Sequence, residues 1–453
     1  MSVKTNRIID RKFQRAQDLH KKGELQEARA LYEYILASSP QHVDSLHYLG
    51  LLTYRLGENE KAIGLINQAI ELQPENIHAV KNLGNIYLEL DSLDEAVSCY
   101  QNAIKIDPQD ATTLNNLCVA QRQRGEFAEA IKAGQQATRL QPEYQMAWYS
   151  LGNAYKVNDN LKQAIQCYTR ATEINPEFSP AHDSLCQTTF KLEQQSLFGR
   201  RKLKKTLAAY QRWQKLDPNN DLSQFMIKAI KGEEKVTRAP DEVVRNMFDR
   251  SAEQFEDRLE KLEYQVPDLI KPVLLESLGS GRADLLVFDG GCGTGLAATA
   301  LRPYAASLTG VDLSPGMLDK ARKLELYDEL IESELTSFLQ SRTRAYDLAV
   351  FSDTFCYFGD LKEVIQATSS ALRDSGTILF SVELWSLKPE PGGYRLHPHG
   401  RYSHTKPYIE TTLLSYGFSD IQSRQVTLRK EIGHNVKGLI VSARITKNLT
   451  LIM

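Results

Sequence analysis

Along the first half of the chain, small apolar positions recur at a fixed interval. Ala28, Ala62, Ala96, Ala130 and Ala164 are spaced 34 residues apart. A second ladder keeps the same register at Ala16, Gly50, Gly84, Cys118, Gly152 and Cys186. Pro40, Pro74, Pro108, Pro142 and Pro176 form a third. Three coincident ladders at one period define a structural repeat. Small side chains suit the point where two helices cross, because larger ones would push the backbones apart. Proline closes the second helix of each unit, since it cannot continue a helix and biases the preceding residue towards extended backbone. Gly23, Gly57 and Gly125 end the first helix of their units and permit a tight turn. The pattern predicts five helical hairpins over Ile8–Phe178. A sixth aligns through Thr206–Tyr210 and Pro218, its proline displaced by eight residues through an insertion near Gln194–Lys202. Asp221–Lys231 reads as a capping helix, which an open array needs to cover its last apolar face.

From Asp241 the period changes. Short β-rich runs at Leu285–Asp289, Ser307–Asp312, Leu348–Ser352, Thr377–Val382, Ile421–Thr427 and Gly438–Arg444 alternate with helical stretches. A weaker run lies at Glu329–Glu332. Strands separated by helices imply a parallel sheet with crossover connections. The expected architecture is therefore multidomain. An all-α repeat solenoid spans residues 8–231. A polar linker follows at 232–240, and an α/β Rossmann-like, doubly wound domain covers 241–446.

Chemistry concentrates in Asp289-Gly-Gly291-Cys292-Gly293-Thr294-Gly295. An apolar strand ends on an acidic residue and enters a glycine-rich turn, where a ligand can approach the backbone closely. A dinucleotide fingerprint would place its third glycine one residue later. The spacing here argues against NAD and fits a loop wrapping the methionine part of S-adenosylmethionine. Asp312, followed by Leu313, ends the next strand about 20 residues on. There a carboxylate can accept both hydroxyls of a ribose. An N-cap role for that aspartate is the alternative, although Ser314 and Pro315 can cap the next helix themselves.

The 34-residue units resemble the tetratricopeptide repeat, as Leu83-Gly-Asn-Ile-Tyr87, Glu95-Ala96 and Pro108 show. The second half resembles the class I S-adenosylmethionine-dependent methyltransferases, with Asp289–Gly295 and Asp312 as its two cofactor motifs. Within that family the chain is similar to predicted methyltransferases carrying tetratricopeptide repeats. The segments Arg245–Phe255, Leu326–Leu330 and Gly393–His404 carry this likeness. The resemblance implies that Ser352 and Asp353 flank cofactor and substrate, and that Glu334 stands where an adenine-binding aspartate is usual. Most relatives have leucine where this chain has Gly290.

Methyl transfer needs placement of a nucleophile behind the methyl and exclusion of water, and a base only when the acceptor is protonated. Tyr394–His404 follows the fifth strand and reads as a substrate lid or a solvated loop. In the lid reading, Arg395 and Arg401 receive an anionic group, and Tyr402 or His404 joins Asp353 among the catalytic candidates. Phe248 and Phe255 read as a flap over the cofactor or as a core stripe. On the repeats, Asn82 and Asn116 could grip a peptide backbone, or serve the repeat's own packing.

The totals sharpen the picture. The formal net charge is −2, with 42% apolar and 25% charged residues, so no general affinity for nucleic acid or an anionic membrane is implied. No apolar run reaches membrane-spanning length and the first residues lack a secretory pattern. None of the six cysteines forms a Cys-x-x-Cys pair. No metal is expected, and reduced thiols in a cytoplasmic protein fit best. The expected function is methyl transfer to an O, N or C acceptor, with a protein or peptide held by the repeats. The alternatives are a scaffold with a silent cofactor domain, or a small-molecule methyltransferase whose repeats serve assembly.

Overall fold

The computed structural model describes residues 3–195, 203–233, 236–281, 283–386, 392–431 and 433–446. The expected insertion near Gln194–Lys202 lies mostly outside them. The chain forms two compact units, Met1–Arg212 and Trp213–Met453.

The first unit is a helical array. Its helices are α1 (Val3–Lys22), α2 (Leu25–Ser38), α3 (Val43–Arg55), α4 (Asn59–Leu72), α5 (Ile77–Glu89) and α6 (Leu93–Ile106). They continue with α7 (Ala111–Gln123), α8 (Phe127–Leu140), α9 (Gln145–Val157), α10 (Leu161–Ile174) and α11 (Ser179–Gln195). Helix α12 (Lys204–Leu216) crosses the division between the units. The small-residue ladder works by exchange of volume. A Cβ on Gly50 would come within 2.5 Å of Ile66, and one on Gly152 within 2.6 Å of Tyr168. In the fourth hairpin the roles reverse: Cys118 stands on α7 and Gly134 on α8, where a Cβ would meet the Cys118 Sγ at 3.2 Å. Each hairpin thus needs one small partner at its crossing, on either helix. The inter-helix turns are left-handed at one register. Gly23, Gly57 and Gly125 have φ of 84°, 82° and 87°, and Asp91 and Asp159 take the same conformation at 58° and 55°. Aspartate tolerates this region better than most residues with a Cβ, so the turn is kept where no glycine stands.

The second unit opens with α13 (Asp221–Lys231), α14 (Asp241–Asp249), α15 (Phe255–Lys261) and α16 (Val266–Leu278). Strands β1 (Leu285–Gly290), β2 (Ala305–Asp312), β3 (Glu329–Glu332), β4 (Tyr346–Phe351) and β5 (Leu372–Leu384) follow. Between them lie α17 (Ala298–Leu301), α18 (Pro315–Arg322), α19 (Leu335–Gln340) and α20 (Lys362–Ala371). The unit closes with β6 (Tyr394–Leu396), β7 (Tyr402–His404), α21 (Lys406–Ser415), β8 (Phe418–Glu431) and β9 (His434–Ile445). Strands β3, β2, β1, β4 and β5 lie side by side and parallel, and β9 joins β5 antiparallel with β8 outside it. All seven strands expected from the sequence are present.

The β6–β7 hairpin was not expected. Glu383 of β5 pairs with Gly438 of β9 and also with Ser403 of β7. A strand residue has two edges, so β7 occupies the edge that β4 leaves free beyond Phe351. The hairpin therefore builds the sheet upward at its carboxyl end, where open α/β sheets bind ligands.

The stretch expected to be a free linker is partly built into the second unit. Ala239 N–H donates to the Tyr357 carbonyl at 2.9 Å. Gly359 and Asp360 N–H donate to the Thr237 carbonyl at 2.7 and 2.9 Å. The Tyr402 hydroxyl donates to the Val236 carbonyl at 3.1 Å. Helix α13 falls in the same unit, and a Cβ on Gly400 would touch its Met226 and Phe225. A fragment starting at Asp221 should consequently melt several degrees higher than one starting at Asp241, because each lost hydrogen bond costs about 0.5–1.5 kcal/mol. Scanning calorimetry of the two fragments checks this, and equal midpoints would show that 221–240 adds no stability.

Candidate functional site

The carboxyl ends of β1, β2 and β4 open into one cavity of about 1410 Å³ counting its mouth. Its first wall is the turn after β1. Gly291, Gly293 and Gly295 have φ of 73°, 55° and 89°, a region that side chains with a Cβ rarely adopt. Gly291 and Cys292 N–H donate to the Val311 carbonyl at 2.8 and 3.1 Å, which folds the loop back against β2. A Cβ on Gly291 would strike Thr354 Oγ1 at 2.5 Å, whereas one on Gly293 would meet nothing within 4 Å. Gly293 thus leaves a cradle facing open space. Gly290 is explained by packing, since a Cβ there would meet Phe351 at 2.6 Å. Gly295 turns against Leu324 and Tyr327 instead of lining the cavity.

Asp289, Cys292, Thr294, Asp312, Leu313 and Ser352 all line the cavity, as the sequence implies. Asp289 is fully buried and accepts from the Tyr327 hydroxyl at 2.7 Å through one oxygen. Its other oxygen, the Thr294 Oγ1 and the Ser352 Oγ are buried without hydrogen-bond partners. Three such atoms around one cavity mark polar sites that a ligand can satisfy. Burial pushes the Asp289 carboxyl up to about 7. Asp312 accepts from Gly293 N–H and Ser314 N–H, each at 2.9 Å and one on each oxygen. Burial raises its pKa and these bonds oppose the rise. Ser314 caps α18, so the cap alternative for Asp312 is unnecessary. Each Asp312 oxygen keeps a further acceptor position.

Four expectations need correction. Glu334 does not line the cavity. Its carboxylate caps α19, accepting from Thr336 and Ser337 N–H at 2.8 and 2.7 Å, and it pairs with Arg238 at 2.9 Å. Its neighbours Ser333 and Leu335 reach the cavity instead. His404 is wholly buried beside the cavity, with Nε2 3.0 Å from the Gly359 carbonyl and its pKa lowered by burial to about 4. Tyr402 spends its hydroxyl on Val236 and also lies off the lining. Arg395 stacks on Trp385 at 4.6 Å and does not line the cavity either. The cause is common to the last three: the segment read as a lid loop is a strand pair whose side chains serve the sheet's own packing. His397 and His399 stack on each other with ring centres 5.1 Å apart.

Arg401 and Asp353 do line the cavity, in company the sequence did not reveal. Arg429 is 2% exposed and reaches three carboxylates. Its Nε donates to Glu431 at 2.8 Å, one terminal nitrogen to Glu383, and the other to Asp353 at 3.2 Å. Arg401 adds ion pairs to Glu431 and Glu383. A β-bulge at Leu428 between Thr427 and Arg429 turns Arg429 inward, and strict alternation along β8 conceals this. Helices α14 and α15 close the cavity with Val244, Met247, Phe248, Phe255 and Leu259. Phe248 and Phe255 meet edge to face at 5.8 Å, and both line the cavity. On the repeats, Asn82 lies 3.0 Å from His47 Nε2, and Asn116 donates to Asn85 at 3.0 Å. Both carboxamides already bridge neighbouring repeats.

The sheet order, the left-handed glycine loop and the acidic residues at two adjoining strand ends define a class I methyltransferase fold. A Methyltransferase domain model matches residues 288–380, and tetratricopeptide repeat models match 13–77, 84–121 and 146–178. The chain thus carries a methyltransferase domain together with tetratricopeptide repeats, and methyltransferases of the class I type use S-adenosylmethionine. It is 38% identical to Methyltransferase-like protein 27 of Homo sapiens over 19% of this chain and 35% of the relative. It is 32% identical to a Malonyl-[acyl-carrier protein] O-methyltransferase of Priestia megaterium over 27% of this chain and 43% of that one. A Ubiquinone biosynthesis O-methyltransferase of Nitrosomonas europaea is 26% identical over 31% of this chain and 65% of its own length. The chain thus spans about a third to two thirds of the length of these three relatives.

The residues present fit the cofactor. The unsatisfied Asp289, Thr294 and Ser352 oxygens and the Gly293 cradle would hold its methionine part, and Asp312 its ribose. When bound, it would supply an activated methyl on a sulfonium.

Proposed function

We propose that the protein transfers a methyl group from S-adenosylmethionine to an acceptor bound in the cavity under α14 and α15, and that its repeats recruit a protein that carries or delivers that acceptor. The observation that supports the first part most directly is the set of buried, unsatisfied polar atoms beside the left-handed glycine loop. Isothermal titration of the full chain with S-adenosylmethionine tests it. Saturable one-to-one binding is expected, and folded protein that takes up none would reject the reading. Methyl transfer to components of a native lysate separates an enzyme from a silent cofactor-binding scaffold.

Recruitment is supported by the repeat architecture, whose stacked hairpins offer an extended surface. Asn82 and Asn116 retain part of their exposure and remain candidates for peptide contact. Full chain and second unit should then differ in KM for a protein acceptor and agree for a small one. All six cysteines are unpaired, which supports a cytoplasmic setting. Among the described residues no helix is long and apolar enough to cross a membrane.

A further inference from the structure

Asp353 follows the end of β4, two strands along the sheet from Asp312 at the end of β2. Its φ of 56° is left-handed, an uncommon state for a residue with a Cβ. That state is held from three sides: Asp353 N–H donates to Ser381 Oγ at 2.7 Å, its carbonyl receives Cys356 Sγ at 3.0 Å, and its carboxylate meets Arg429. A strained residue fixed this firmly, with its side chain on a cavity, points to use of that side chain.

The surroundings decide what it can be used for. Three carboxylates, Asp353, Glu383 and Glu431, outnumber the guanidiniums of Arg401 and Arg429. Burial works against the Glu431 charge, but the two arginines outweigh it and hold the pKa at about 2. The same opposition leaves Glu383 lowered. His399 adds no charge, because burial lowers it to about 4. The arginines are therefore compensated, and an anionic acceptor would meet an excess of negative charge. Burial pushes up the Tyr264 and Tyr357 phenols and the Cys356 thiol, so these stay protonated. Burial also raises Asp353, against the pull of Arg429, which brings it nearer to the range of a working base. The wall beside this floor is apolar. Lys430 N–H donates to the Leu262 carbonyl at 2.7 Å and Gln265 N–H to Leu428 at 3.0 Å, which sets Leu262, Tyr264 and Pro267 next to Arg429.

We propose that the methyl acceptor is a neutral molecule with an apolar or aromatic body and an O–H or N–H group, and that Asp353 receives its proton. The inference rests on the methyltransferase reading. In the reaction the acceptor's heteroatom forms a bond to the methyl carbon, the sulfur–methyl bond breaks with its electron pair left on sulfur, and the acceptor proton passes to the Asp353 carboxylate.

Binding of two probes to the full chain loaded with S-adenosylhomocysteine tests this without turnover. The probes are 2-naphthol, neutral at pH 7, and 2-naphthoate, an anion with the same rings. Naphthol should bind at least about tenfold more tightly. Asp353→Asn, which keeps the left-handed backbone accessible, should weaken naphthol by about fivefold or more. Glu431→Gln should strengthen naphthoate and leave naphthol unchanged. Tighter binding of naphthoate by the wild type would overturn the proposal and either return Arg401 to the role of anion receptor or give that role to Arg258, which also lines the cavity. Binding of neither probe by loaded protein, or no loss in Asp353→Asn, would also overturn it. Failure to take up S-adenosylhomocysteine at all would instead reject the methyltransferase reading beneath it.

Discussion

Replacing Asp312 with alanine should weaken S-adenosylmethionine binding by at least about tenfold in isothermal titration. Hydrogen bonds to a charged group contribute roughly 1.5–3 kcal/mol each, and tenfold requires only about 1.4 kcal/mol. The carboxylate organises the site before any ligand arrives, accepting Gly293 N–H and Ser314 N–H at 2.9 Å each. Alanine would orphan both donors, so its melting temperature should fall as well. Asp312→Asn keeps one acceptor oxygen and should be intermediate in both respects. An alanine variant of unchanged affinity would show that the ribose is held elsewhere.

Affinity for the cofactor should fall about tenfold per pH unit below about pH 7, down towards the ordinary carboxylate range. Burial raises Asp289 from 3.8 to about 7, and its free oxygen lies on the cavity. For folding alone the sign is unfavourable at high pH. The raised carboxyl stabilises the fold fully below the unfolded pKa, and that contribution is lost as pH rises through about 7. A cationic ligand group beside Asp289 favours the ionised form and lowers the bound-state pKa. Binding at pH 6 should therefore release close to one proton, visible as a dependence of binding heat on the buffer's ionisation enthalpy. Asp289→Asn should flatten the pH profile and abolish that release. A flat profile in the wild type would mean that no cation approaches this carboxylate.

Three of the corrected residues share one feature. Tyr402, His404 and Arg395 carry reactive groups on a segment that the sequence makes polar, and side-chain chemistry alone suggested a lid. Their strand pairing spends those groups on Val236, Gly359 and Trp385. Glu334 is of another kind. It follows β3 as expected, but its carboxylate is spent on the first turn of α19 and on Arg238. Arg429 shows the reverse error, a functional candidate missed because one bulge shifted the facing of a strand by a residue.

The local signals determined much by themselves. A 34-residue period specifies helical hairpins, because each crossing demands a small residue and each exit a left-handed turn or a proline. The glycine loop and Asp312 are nearly as local: strand, turn, helix and next strand follow one another along the chain, so their spacing is legible, and the pairing of β1 with β2 then brings them together. Only the tertiary structure decided the acceptor end. Asp353, Glu383, Arg401, Arg429 and Glu431 come from four different segments, brought together by the crossover order of the sheet and by a hairpin pairing beyond the end of β4. Such a cluster has no period and no spacing to read. Its members become neighbours through long-range strand pairing, and their charges acquire meaning only after burial removes the water between them.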